Sequence, residues 1–315
     1  MMIRNYLLLL FCVTCWGSNF IFGAILVKEF SPMLLSALRL FFIAIFIVIY
    51  ALKCKKWKRI DRKDWLFFIL LGLVGVFINH WTFYAALETA DPTTSAIILA
   101  LAPITTALLA SVFLGEKLTL NLSIGMIMAF MGVFFVITNG DHLHFSIGIV
   151  WIFITMLSFS ISMIMVKKLT ERYHSITITV YSTIIGFSSL APVALTTESP
   201  LKMSRDYGPW ILLIITAIIM HGVCTLIWNS QIEKVGASKA SLFMNLEPFI
   251  AMIVGLIVLK INITRSQILG SILIIIGVII ATQLKDKLVN KENSLVNYQE
   301  YVDAIKNLKR HKREY

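Results

Sequence analysis

Residues 93–138 read TTSAIILALAPITTALLASVFLGEKLTLNLSIGMIMAFMGVFFVIT, and residues 238–283 read SKASLFMNLEPFIAMIVGLIVLKINITRSQILGSILIIIGVIIATQ. The two stretches lie 145 positions apart and align without a gap, and the match runs back to Trp65 and Trp210. Glu88 meets Glu233, Leu101 meets Leu246 and Pro103 meets Pro248. Further on, Leu114 meets Leu259, Thr119 meets Thr264, Gly125 meets Gly270, and Gly132-Val133 meets Gly277-Val278. Apolar sequences resemble one another readily, so the matched prolines and glycines carry most of the weight. Self-similarity at a fixed offset is the mark of an internal repeat.

Both stretches are apolar in blocks of about twenty residues, the length that crosses a bilayer as a helix. The same holds for the whole chain. Of its 315 residues 58% are hydrophobic and only 14% charged, against about 25% charged in a soluble domain. Mean hydropathy is +0.84. This excludes a soluble enzyme, a secreted disulfide scaffold and a nucleic-acid binder, and the expected class is an all-α integral membrane protein. Ten spans are expected, at 6–27, 32–52, 65–87, 93–114, 118–138, 145–166, 175–196, 209–231, 240–259 and 264–284. Stretches this long without alternation do not suit a barrel. The first is too long for a signal peptide and ends without a small-residue cleavage site, so it reads as a retained helix.

The net charge of +11 is a matter of orientation. Of the 28 Lys and Arg, 22 fall on the side that holds both termini and five on the other, with Arg39 alone inside a span. The positive-inside rule then puts both termini in the cytoplasm of a cell membrane. In the tail, Leu295, Tyr298, Val302, Ile305 and Leu308 recur at helical spacing beside Lys306, Lys309, Arg310, Lys312 and Arg313. It reads either as a basic amphipathic helix on anionic lipid or as a solvated tail.

An offset of 145 residues spans five helices, and five crossings end on the opposite side of the membrane. The halves are therefore expected to be two inverted five-helix repeats, at 5–139 and 145–284, followed by a cytoplasmic tail at 285–315. Inverted repeats are the architecture of secondary transporters, with the site near the midplane between the halves. Pro103 and Pro248 are expected to kink spans four and nine, since each deletes a backbone donor. Gly125 with Gly132, and Gly270 with Gly277, are each seven apart on one face and read as helix-packing positions.

Trp16-Gly17-Ser18-Asn19-Phe20, Pro32 with Arg39, and the run from Tyr84 to Val133 resemble the drug/metabolite transporter superfamily, EamA-type ten-helix exporters in particular. Within that run Pro103, Leu114-Gly115-Glu116-Lys117-Leu118, Gly125 and Gly132 resemble the repeat signature. The resemblance covers residues 5–285 and implies export of small metabolites or amino acids across a bacterial cytoplasmic membrane. The second half departs from it, with Leu259-Lys260-Ile261-Asn262 opposite Leu114-Gly115-Glu116-Lys117 and Ser158-Phe159-Ser160 in span six. Roles are therefore not transferable between halves by pseudo-symmetry.

Polar groups in hydrocarbon need a partner or a cavity. The candidate substrate-binding residues are Trp16 and Asn19 in span one, Asn79, His80 and Tyr84 in span three, His221, Trp228 and Asn229 in span eight, and Asn245 and Glu247 in span nine. Aromatics mixed with amides suit a small amphipathic ligand. Glu247 reads as a proton-coupling carboxyl or a partner for a substrate amine, or else as a neutral group bonded to backbone loosened by Pro248. His80 and His221 read as proton carriers or as neutral bridges between helices. Arg39 reads as a gate or anion contact, or as a snorkelling or loop-paired cation. Trp57 and Trp65 read as interface anchors, and Glu116 as a cap for span five. Cys12 and Cys15 form a CxxC within an apolar helix and read as apolar filler, with no metal site completed nearby.

No GxxxxGK[ST] run occurs, so no nucleotide cofactor is expected. The partners expected are a small-molecule substrate, the lipid bilayer and protons, with no nucleic acid. The functional expectation is a secondary carrier exporting a small metabolite. The alternatives are an intramembrane lipid-modifying enzyme, which needs convergent catalytic groups, and a non-transporting sensor.

Overall fold

A computed structural model describes residues 2–55, 57–113, 120–138, 146–197, 203–235 and 243–280. Glu116, the 114–119 run and the tail at 285–315 lie outside the described residues, as does the side chain of Asn229. The described chain is helical and contains no β-strand; one isolated antiparallel bridge joins Phe30 to Met203.

Seven helices are long and apolar enough to cross a membrane. They are α1 (Met2–Glu29), α2 (Pro32–Cys54), α3 (Arg62–Thr89), α4 (Pro92–Phe113), α6 (Ile147–Thr170), α7 (Ser175–Thr197) and α8 (Tyr207–Trp228, continuing helically to Val235). Among the described residues three further apolar helices are α5 (Leu120–Thr138), α9 (Glu247–Leu259) and α10 (Arg265–Ile280). Long helices follow from the medium: in lipid every backbone donor and acceptor must be satisfied within the segment. The ends are set by local chemistry. Pro32 and Pro92 stand in the first turns of α2 and α4, where a missing N–H costs nothing. Asp91 caps α4 by accepting from the Thr94 N–H at 2.7 Å. Lys55 and Lys260 close α2 and α9 in the left-handed conformation, at φ 52° and 55°.

α10 begins with a reciprocal capping box. Thr264 Oγ1 accepts from the Gln267 N–H at 3.2 Å, and Gln267 Oε1 accepts from the Thr264 N–H at 3.1 Å. The Gln267 amide also donates to Asp91 Oδ2 at 3.0 Å and Thr93 Oγ1 at 2.9 Å. One side chain thus starts α10 and pins it to the start of α4.

Helix pairing has a regular form. α1 packs on α8 and α9, and α6 packs on α3 and α4, the helices that match across the 145-residue offset. α2 packs on α7 and on the middle of α8, while α7 packs on the middle of α3. α5 and α10 meet at glycines: a Cβ on Gly132 would lie 2.6 Å from the Gly270 oxygen, and one on Gly277 would lie 2.6 Å from the Gly125 oxygen. Residue order rises along α5 while it falls along α10, so the two run antiparallel. Without a hydrophobic force between helices in lipid, such backbone approach supplies the packing.

Two interruptions also recur at the offset. Leu71–Ile78 in α3 and Thr216–Val223 in α8 are both π-helical. The turns at Ala100-Leu101 and Asn245-Leu246 both precede a fresh helical start, at Ala102 and Glu247. At Pro103 and Pro248 the helical path is interrupted by the preceding turn. Each is the second residue of a restarted helix, where the absent N–H has no intrahelical partner to lose.

Candidate functional site

The inner faces of α1, α2, α3 and α8 converge on Arg39. It is 1% exposed, so it does not snorkel, and among the described residues it pairs with no carboxylate. Its terminal nitrogens donate to Thr216 Oγ1, to the Thr216 carbonyl at 3.4 Å and to Asn19 Oδ1 at 3.1 Å. Its guanidinium carbon lies 5.4 Å from the centroid of Tyr84, itself 1% exposed. Ser36, one turn before Arg39 on α2, donates to the His80 carbonyl at 3.1 Å. Four helices are thus tied together by groups around one cation.

His80 and His221 stand edge to face, ring centroids 5.1 Å apart. Neither ring nitrogen has a hydrogen-bond partner among the described residues. Both rings are surrounded by protein, yet both are half-buried rather than sealed. A polar group that is enclosed but still accessible marks a gap between helices. The π-helical turns bear on this arrangement. An extra residue in the turn changes the register of the side chains that follow, and it brings His221 and the start of Asn79-His80 to the facing sides of α8 and α3.

On α1, Trp16 Nε1 donates to the Met220 carbonyl at 2.7 Å, and its ring lies 4.9 Å from that of Trp228. Trp16 and Asn19 are three residues apart and share a helix face. Below them Cys12, Cys15 and Cys224 are buried in one cluster with Trp228, the Cys12 thiol donating to the Cys224 carbonyl at 3.5 Å. No group of His, Cys, Asp and Glu among the described residues has the arrangement of a metal site.

The structure thus gathers Trp16, Asn19, His80, Tyr84, His221 and Trp228 from the sequence-derived set. It turns Asn79 elsewhere. The Asn79 amide donates to the Thr155 carbonyl at 3.0 Å and to Ser158 Oγ at 3.1 Å, fastening α3 to α6. Asn245 is buried in the turn before α9. Glu247 is the first residue of α9. Its backbone oxygen packs against Gly17, 2.9 Å from where a Cβ there would stand. Its side chain is half-buried and makes no hydrogen bond or ion pair among the described residues. Sequence reasoning missed Thr216, because an isolated Thr in an apolar run carries no signal of the cation 177 residues away.

The bundle is tied at two ends by equivalent loops. Where α1 meets α8, Ser204 donates to Glu29 Oε2 at 2.8 Å and Phe30 stacks edge-on against Trp210 at 5.2 Å. Where α3 meets the α6–α7 turn, the Tyr173 hydroxyl donates to Asp64 Oδ2 at 2.7 Å, with Arg172 3.2 Å from Oδ1. Burial pushes the Tyr173 phenol up, so it stays a donor.

Comparison with known proteins agrees with this architecture. The chain is 31% identical over 284 residues to the uncharacterized transporter YyaM of Bacillus subtilis (strain 168), covering 88% of this chain and 93% of that protein. An uncharacterized transporter of Archaeoglobus fulgidus is 27% identical over 285 residues, covering 89% and 99%. A solved crystal structure superposes with a TM-score of 0.66 at 16% identity, over 89% of this chain and 96% of that one, which speaks to the fold. The EamA-like transporter family model matches twice, over residues 3–138 and 146–283. With its multi-pass apolar helices and a match over nearly its whole helical part, the chain belongs to the EamA-like transporter family.

Proposed function

We propose that the protein is a secondary carrier that moves a small amphipathic metabolite, an amino acid or related solute, outward across the cytoplasmic membrane by alternating access. In this reading ten helices cross the membrane as two inverted five-helix repeats, with both termini in the cytoplasm. The observation that carries it is the exchange of partners between α5 and α10. Gly132 meets Gly270, the counterpart of Gly125, while Gly125 meets Gly277, the counterpart of Gly132. Residue i meeting the counterpart of j while j meets the counterpart of i is the pattern of a twofold axis. An antiparallel pair five crossings apart fits an axis lying in the membrane plane. The matched π-helical turns and matched restarts support the same relation.

Trp16, Asn19, His80, Tyr84, His221, Trp228, Asn229, Asn245 and Glu247 would line the solute's path, rings against its apolar body and amides against its polar ends. Asn79 holds α3 in register on α6. Glu247 is the group for proton coupling, being an enclosed carboxyl with no partner among the described residues. The two loop ties would alternate, one releasing while the other holds.

Counterflow in proteoliposomes tests the reading. Vesicles holding the full-length protein are loaded with a small-molecule extract of the source cells, then given labelled solutes outside. A carrier exchanges at least one of them transiently above equilibrium. A membrane enzyme or sensor exchanges none, and that result would end the proposal.

A further inference from the structure

We infer that Arg39 is the anchor for a carboxylate of the transported solute. The inference rests on the carrier reading and narrows its substrate class.

The argument is one of uncompensated charge. A guanidinium keeps its proton under all ordinary conditions and offers five N–H donors. Arg39 is fully buried in a helix bundle, and all its acceptors are neutral: the Thr216 hydroxyl and carbonyl, and the Asn19 amide oxygen. Its Nε is buried and has no partner. Among the described residues the one ion pair is Arg172 with Asp64, so none of their carboxylates sits within pairing distance of Arg39. A buried cation without a counter-ion is strongly unfavourable, and such groups inside a membrane face an aqueous path or a partner. The fold holds this one in place from three helices, which keeps an unfavourable charge where it is.

The groups around the guanidinium are polar and less buried than it is. Asn19, His80 and His221 are half-buried beside the fully buried guanidinium, and both imidazoles lie within electrostatic reach of it. Nε, which has no partner, and the terminal nitrogen beside it, which donates to Asn19, form one edge of the guanidinium; a carboxylate bound side-on there would replace the Asn19 amide as acceptor. The imidazoles, with no other hydrogen-bond partners, can donate to the carboxylate's second oxygen. One fixed positive charge matches a monoanion. A dianionic phosphate would leave a negative charge unmatched, so the group assigned is a carboxylate.

The test uses the full-length protein in proteoliposomes and two matched sets of labelled probes. One set is acetate, lactate, benzoate, L-leucine and L-phenylalanine; the other is the matching amides, in which an uncharged carboxamide replaces the carboxylate. The wild type should take up at least one carboxylate saturably and its amide poorly. Arg39→Gln should cut carboxylate uptake by roughly ten- to hundredfold without lowering uptake of the amide. Arg39→Lys should keep part of the preference. Thr216→Val, which removes a structural contact but leaves the charge, should retain it. Thermal unfolding of each variant establishes that it is folded. Equal handling of acid and amide, an unchanged preference in Arg39→Gln, or a wild type that moves no carboxylate would each overturn the assignment. Uptake of amides without acids would leave the carrier standing and remove the anion site. Failure of every probe together with failed counterflow would remove both.

Discussion

Gly132 on α5 and Gly270 on α10 face each other so closely that a Cβ on either would lie 2.6 Å from the other's carbonyl oxygen. The obstructing atom is backbone, which cannot swing aside as a flexible side chain does. Gly132→Ala and Gly270→Ala should therefore each force the helices apart, at about 1–3 kcal/mol. The double variant should cost less than the sum, because one separation relieves both clashes. Thermal unfolding in detergent measures this. Unchanged stability in either single variant would remove the contact from the account.

Asn79 is expected to be a packing residue rather than a ligand. Its amide bonds to the Thr155 carbonyl and to Ser158 Oγ, and the Thr155 carbonyl also accepts from Ser158 at 2.9 Å. Asn79→Ala thus leaves the acceptor satisfied, and the loss should be about 0.5–1.5 kcal/mol. The KM for a transported solute should stay unchanged. A raised KM with unaltered stability would return Asn79 to the solute path.

Orientation has a natural reporter. Of the four cysteines, Cys12, Cys15 and Cys224 are buried while Cys54, at the end of α2, is exposed. A membrane-impermeant maleimide should label Cys54 in inverted vesicles and spare it in intact cells. Labelling in intact cells would reverse the topology.

Glu247 stands at a helix start with no side-chain partner among the described residues, so Glu247→Gln should change stability by less than about 1 kcal/mol. Its effect should fall on transport. The variant should lose the dependence of uptake on an imposed pH gradient while it still exchanges solute in counterflow. Gradient-dependent uptake that persists in the variant would exclude this carboxyl as the coupling group.

The helices were legible because bilayer thickness imposes a length on any apolar block, and the expected ends of α2 and α7 fall within two residues of those observed. The matched prolines were legible as a repeat but not as helix restarts. A proline removes the same N–H in both settings, and only the preceding turn at Ala100-Leu101 or Asn245-Leu246 distinguishes them. The π-helical turns left no trace, since LGLVGVFI is apolar on every side and has no period to interrupt. At the site, residue types were informative and directions were not. His80 and Asn79 are adjacent and equally polar, yet one meets His221 and the other meets α6. Arg39 was visible as the lone cation within a span and Asn19 as a polar residue of its own motif, while the partner Thr216 is a residue that nothing in its own segment sets apart.

Alternating access can be read at a single position. Asn19→Cys, in a protein whose four native cysteines are replaced, would report whether a small impermeant thiol reagent reaches the centre of the bundle from each face. The account predicts reaction from both faces. A disulfide engineered between positions 29 and 204 should block access from one face only, and one between positions 64 and 173 should block access from the other. A residue that stays inert from both faces, or reacts from one face alone whichever tie is locked, would contradict it.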